Sequence, residues 1–199
     1  MKKPHIGILY QETLPEQVFE NFITTVSINS LDLEVKSIPV TPYAMALEWL
    51  VPTVIVTYIS KSYFDAFLKE MGKDHYHLLK KGLISFKDYL FAEDTPKVTI
   101  IISQDAPKKS LKSSYSLLFS IIADMKDNNH FKLLIDEDMS STEYQKTINL
   151  FLIFLDKYYF NNLDSETLLK LESQNIIQGT IFIAYSRNTD KLEFLNINE

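Results

Sequence analysis

Apolar and polar positions follow two alternating rhythms along this chain. Short apolar runs, the mark of strands buried in a sheet, give way to stretches where apolar residues recur every three or four positions, the mark of helices packed on one side. His5-Ile6-Gly7-Ile8-Leu9-Tyr10 is the first run. Thr13-Leu14-Pro15-Glu16 then supplies a helix start, and Val18, Phe19, Phe22, Ile23 and Val26 follow at helical spacing. Residues 33–40 read as a second strand, after which Thr41-Pro42 opens a short helix through Trp49 that Pro52 ends.

Residues 53–59 form the cleanest buried run, and Ser60 or Ser62 caps a helix bearing Phe64, Phe67, Leu68 and Met71 on one face. Gly72 predicts a break there, with the pattern resuming through Tyr76, Leu78 and Leu79 to an end at Gly82. Residues 98–103 read as a strand, 115–125 as a helix and 131–135 as a strand. Ser140-Ser141-Thr142-Glu143 is a capping box opening a long apolar helix, and Asp164 and Ser165 begin another. Residues 180–185, a polar turn at 186–190 and residues 192–197 read as a hairpin. The pattern predicts a single α/β domain over residues 1–199: a three-layer, mainly parallel sheet with helices on both faces and a C-terminal antiparallel hairpin.

In such sheets ligands collect at the carboxyl ends of the strands. That rule selects Tyr10, Gln11 and Glu12 after the first strand, Ser60 after the third, Ser103, Gln104 and Asp105 after the fourth, and Asp136, Glu137 and Asp138 after the fifth. The last three acids, with Glu12 or Asp105, form a set that a hard cation such as Mg²⁺ would accept. They equally suit the positive end of the helix opened at Ser140, which is the preferred reading, so no metal site is assigned.

Composition narrows the partners. Acidic residues outnumber basic ones by six (26 − 20), and the only arginine is Arg187, so the guanidinium forks that grip phosphates and guanine edges are nearly missing and nucleic acid is not expected. Without cysteine there is no disulfide framework or thiolate nucleophile, which suits a cytoplasmic protein. The Lys2-Lys3-Pro4 start lacks the apolar stretch of a secretory signal. Residues 148–160 are strongly apolar but contain Asn149, Asp156 and Lys157 and are too short for a membrane span, so they read as a buried helix or a contact with a protein partner or a second copy, with Tyr158, Tyr159 and Phe160 as its aromatics.

Four glycines exclude the phosphate-binding loops that need several in one turn. His75 and His77 differ by about 200° around a helix and cannot grip one ion; His75 extends the apolar face and His77 points to solvent. Glu70 lies on a helical stripe with Tyr63, Phe67, Asp74 and His77, either as an exposed charged stripe or as part of a site.

The strand, short helix and second strand running into Ser60-Lys61-Ser62-Tyr63 and then a helix with Glu70 resemble the middle of a TIR domain, and residues 5–10 resemble its first strand. The likeness covers roughly the first half of the chain. It implies that Glu70 contacts the ribose hydroxyls of NAD as the nicotinamide bond breaks, with Ser60 and Tyr63 beside it and NAD as substrate, no resident cofactor being needed. The expected function is therefore a TIR-like signalling or effector domain. The alternatives are a non-catalytic interaction or regulatory module, and a Mg²⁺-dependent phosphate-handling enzyme using Glu12, Asp105, Asp136 and Asp138.

Overall fold

The computed structural model describes residues 3–39, 53–67, 73–92 and 115–195. Their order is β1 (Ile6–Gln11), α1 (Gln17–Val26), β2 (Leu33–Ile38), β3 (Ile55–Ile59), a π-helical turn (Tyr63–Phe67), α2 (Lys73–Ser85), the short α3 (Lys87–Leu90), β4 (Tyr115–Asp124), β5 (His130–Asp136), α4 (Ser141–Tyr159), α5 (Ser165–Glu172), β6 (Thr180–Ser186) and β7 (Lys191–Leu195). The seven strands form one mixed sheet in the order β2-β1-β3-β4-β5-β6-β7. The expected α/β class with its C-terminal antiparallel pair is what the chain adopts. The helix expected near residues 41–49 and the strand at 98–103 lie outside the described residues.

Strand direction decides where a site can form. β1/β2, β3/β4 and β5/β6 pair parallel, while β1/β3, β4/β5 and β6/β7 pair antiparallel. The carboxyl ends of β1, β2, β5 and β6 therefore meet one rim of the sheet, and those of β3, β4 and β7 meet the opposite rim. The expectation that every strand empties toward a single rim is corrected by the two reversals, at β1/β3 and β4/β5.

β4 (Tyr115–Asp124) is a strand where a helix was expected over residues 115–125. The segment is buried along nearly its whole length and occupies the middle of the sheet. An apolar run buried on both sides carries no period, so a central strand and a buried helix look alike in it.

The register separates the two faces of the sheet. Ile6, Ile8, Ile55, Ile59, Phe119, Ile121, Phe131, Leu133, Ile181 and Ile183 point to one side, where they join Phe19, Phe22, Leu79, Leu83, Tyr144, Ile148, Phe151 and Leu155 in one core. Helices α1, α2 and α4 lie on this face. Gly82, where a helix end was expected, sits inside α2, because a Cβ there would lie 2.5 Å from Cγ2 of Val26 on α1. The glycine lets the two helices approach closely, at the intrinsic cost of about 1 kcal/mol that glycine brings to a helix.

The opposite face carries Leu9, Val56, Tyr58, Ser120, Ile122, Lys132, Leu134 and Phe182, and most of it is buried as well. Leu134 and Phe182, with Leu117, form a small apolar cluster of their own. Among the described residues no helix is long and apolar enough to cross a membrane.

Candidate functional site

The reversal at β4/β5 brings the end of β4 beside the start of β5, and the pair Asp124↔His130 closes that ladder. Asp124 is only 8% exposed, so its carboxylate must find partners within the protein. Oδ2 accepts from the Tyr58 hydroxyl at 2.6 Å and from the Lys61 backbone N–H at 3.2 Å. Oδ1 lies 3.4 Å from Lys3 Nζ and 3.1 Å from His130 Nδ1; the latter contact is electrostatic and lacks the alignment of a hydrogen bond. The backbone carbonyl of Asp124 accepts from the Tyr159 hydroxyl.

Burial alone would raise the Asp124 carboxyl. The contacts with His130, Tyr58, Lys61 and Lys3 outweigh it and hold the group down at about 2. The same burial and the bond to Asp124 push the Tyr58 hydroxyl up, so it remains a donor.

This cluster forms one end of a cleft of about 280 Å³ on the face of the sheet opposite the helices. The floor follows the register: Tyr58 lies beside Ile122, Ile122 beside Lys132, and Lys132 beside Phe182. Lys132 is 3% exposed, and burial brings its ammonium down to about 8. Lys3 closes one side, its Nζ 5.4 Å above the Tyr58 ring. Among the described residues, the lining includes Lys3, Lys132 and His130 and no carboxylate.

The residues expected to form a site are scattered. Gln11 and Glu12 lie on the first rim, at the end of β1, where their backbone N–H groups donate to Val54 and Ile38. Ser60 lies on the opposite rim, 2% exposed, its hydroxyl donating to the His5 carbonyl and paired with Ser62. Tyr10 is core, with its ring 4.3 Å from that of Phe19. Tyr63 is fully buried and its hydroxyl meets His75 Nδ1 at 3.1 Å, while His75 Nε2 meets the Val26 carbonyl at 2.8 Å. These placements correct the reading of Tyr10, Ser60 and Tyr63 as ligand-binding groups lining a common rim: the first and third face the core, and antiparallel β3 carries Ser60 away from Glu12. Glu70, Ser103, Gln104 and Asp105 lie outside the described residues.

The acidic run at 136–138 has a structural role. Asp136 Oδ1 accepts from the Asp138 N–H at 2.8 Å, and Arg187 reaches Glu143 Oε1 at 2.7 Å, the Asp138 carbonyl at 2.8 Å and Asp136 Oδ2 at 3.4 Å. The capping box at Ser140 forms as expected. Asp136 and Glu12 share a rim, but β3 and β4 lie between their strands, a separation of about 14 Å at the usual strand spacing. Among the described residues no group of three or more potential ligands could hold a metal ion. A hollow of about 340 Å³ beside Asp136 and Arg187 is bounded by that same latch.

The docking role expected of Tyr159 also changes. It is 7% exposed and stacks on Phe64 at 4.1 Å, so it belongs to the core.

Sequence reasoning missed Asp124, His130 and Lys132. One signal could have flagged the last: a lysine inside the run Phe131-Lys132-Leu133-Leu134-Ile135 is a charge in a strand otherwise fit for full burial. Asp124 was hidden because its segment reads as a helix. Comparison of the chain with protein-family models, with curated proteins and with solved structures finds no match.

Proposed function

We propose that this chain is a ligand-sensing regulatory domain that holds a small organic anion, a short-chain monocarboxylate, in the cleft between Lys3 and Lys132. One observation supports the reading above others: among the described residues, the cleft joins an apolar wall of Val56, Ile122 and Phe182 to Lys3, Lys132 and His130, with no acid lining it. Lys3, whose ammonium lies 3.4 Å from Asp124, keeps a largely exposed side chain that can also meet an entering anion. Beside the apolar wall such an attraction is screened less than in open water.

Size sets the class of ligand. At about 280 Å³ the cleft is just below the range of sites for drug-sized molecules, so it suits a molecule with few heavy atoms. A short alkyl chain would meet the apolar wall and a carboxylate the lysines. A binding role is favoured over catalysis because both oxygens of Asp124 are already engaged, Oδ2 by Tyr58 and Lys61 and Oδ1 by Lys3 and His130.

Calorimetric titration with propionate, butyrate and hexanoate, each beside its uncharged amide, tests the reading. The acids should bind at least about tenfold more tightly than the amides and raise the thermal midpoint, since a ligand selective for the native state must stabilise it. Lys3→Gln should weaken the acids and leave the amides unchanged. Equal responses to acid and amide, or none to either, would overturn the proposal.

A further inference from the structure

We propose that the β2 edge is a docking surface for a second copy of this chain, the two β2 strands pairing antiparallel about a two-fold axis at Val35. The inference is independent of the cleft and its ligand.

β2 ends the sheet, with β1 as its one neighbour among the described strands. The parallel ladder fixes its inner side: the carbonyls of Asp32 and Ile38 accept from the N–H groups of Ile6 and Glu12. Backbone direction alternates along a strand, so Glu34 and Lys36 turn their polar groups to β1 as well. Leu33, Val35 and Ser37 then aim N–H and C=O away from the sheet, in the row that an added strand needs. The side chains sort with the backbone. Leu33 and Val35 lie on the helix face, partly buried against the core, while Glu34 and Lys36 are on the opposite face and exposed.

Charges on a sheet edge ordinarily discourage pairing. Here they select one partner. With the axis at Val35, that residue meets its own copy and Leu33 meets Ser37 of the second copy, so the outward-facing groups of all three residues are paired. Glu34 then faces Lys36 of the second copy on both sides of the axis. These are the non-hydrogen-bonded positions, where opposed Cα atoms are about 4.5 Å apart and side chains interact most closely. Moving the axis by one residue sets Glu34 or Lys36 against itself, so charge fixes the register. Among the described residues neither side chain forms an ion pair within its own chain. The edge is self-complementary under one two-fold axis, which closes the assembly as a dimer. β7, at the other end of the sheet, lacks this fit: its middle residue is Glu193, which already accepts from Thr189 and which a two-fold axis there would set against itself.

Sedimentation velocity on the full chain over a concentration series reads the association, and a dimer is expected. Val35→Pro should abolish it, because proline removes an outward N–H and is tolerated on an edge strand, with an unchanged circular dichroism spectrum to show that the fold survives. Lys36→Glu turns both cross-strand attractions into repulsions and should raise the dissociation constant by about tenfold. Adding Glu34→Lys restores both pairs with their signs exchanged and should bring the dimer back. Both charged positions are exposed, so these variants decide the question even if Val35→Pro fails to fold. A chain that stays monomeric at every concentration, a dimer that a folded Val35→Pro leaves intact, or charge variants that do not weaken and then rescue it would overturn the proposal.

Discussion

Asp124 and Asp136 each end a strand of the same sheet, at opposite rims, and each meets a cation, yet they play different parts. Asp124 is nearly removed from water and engaged by a hydroxyl, a backbone amide, an imidazole and an ammonium that arrive from three separate segments. Asp136 is partly exposed and shares Arg187 with Glu143 and the Asp138 carbonyl. Both rims are acidic in sequence. Only where water is excluded does the charge organise its surroundings, because a buried carboxylate must be satisfied by protein groups whereas an exposed one can fall back on solvent.

Asp124→Ala should be the most damaging change. It leaves the Tyr58 hydroxyl and Lys61 amide without their acceptor and His130 beside an empty place, and breaking a buried polar cluster of this kind costs about 3 to 5 kcal/mol. Denaturant titration should show the unfolding free energy falling by that amount. A loss below about 1 kcal/mol would mean that water reaches the cluster and that the contrast between the rims is wrong.

Acid sharpens the same contrast. The folded-state value of Asp124 is about 2 against an ordinary 3.8, so its contribution is complete above pH 4 and disappears as pH falls through about 2. A depression of that size corresponds to about 2 kcal/mol. Glu143 is held down to about 2 as well, chiefly by Arg187 and then by Ser140, so it titrates in the same window. Salt separates them: raising ionic strength screens the exposed Glu143 pair and leaves the buried one. Stability measured between pH 4 and pH 2 in high salt should still fall in the native chain, and should flatten in Asp124→Asn. A flat profile in the native chain would show that Asp124 is not held as described.

How much of this could be read from the chain follows from where the signals are local. The Ser140–Glu143 box, the cap at Asp164 and the final hairpin are local chemistry, and each appears where the pattern puts it. His75 was legible as a buried member of an apolar face. Strand direction was not: nothing in residues 53–59 says whether that strand runs with β1 or against it, since either direction buries Ile55 and Ile59 on one side. The candidate site followed that error. Asp124 meets Tyr58 through the parallel β3/β4 pair, but His130 and Lys3 join them only through the antiparallel pairings, while Glu12 and Ser60, which a fully parallel sheet would have joined, lie at opposite rims.

The smallest effect is expected from Arg187→Met, although Arg187 makes four close contacts. Contact number is a poor guide here, because the guanidinium is about half exposed and Glu143 keeps its bond to the Ser140 N–H without it. Exposed ion pairs gain little over solvation and are weakened by salt. The thermal midpoint should therefore drop by less than about 2 °C, and by less again in high salt. A drop approaching that of Asp124→Ala would make the Arg187 latch a structural centre in its own right, and water exclusion would no longer be what distinguishes the two rims.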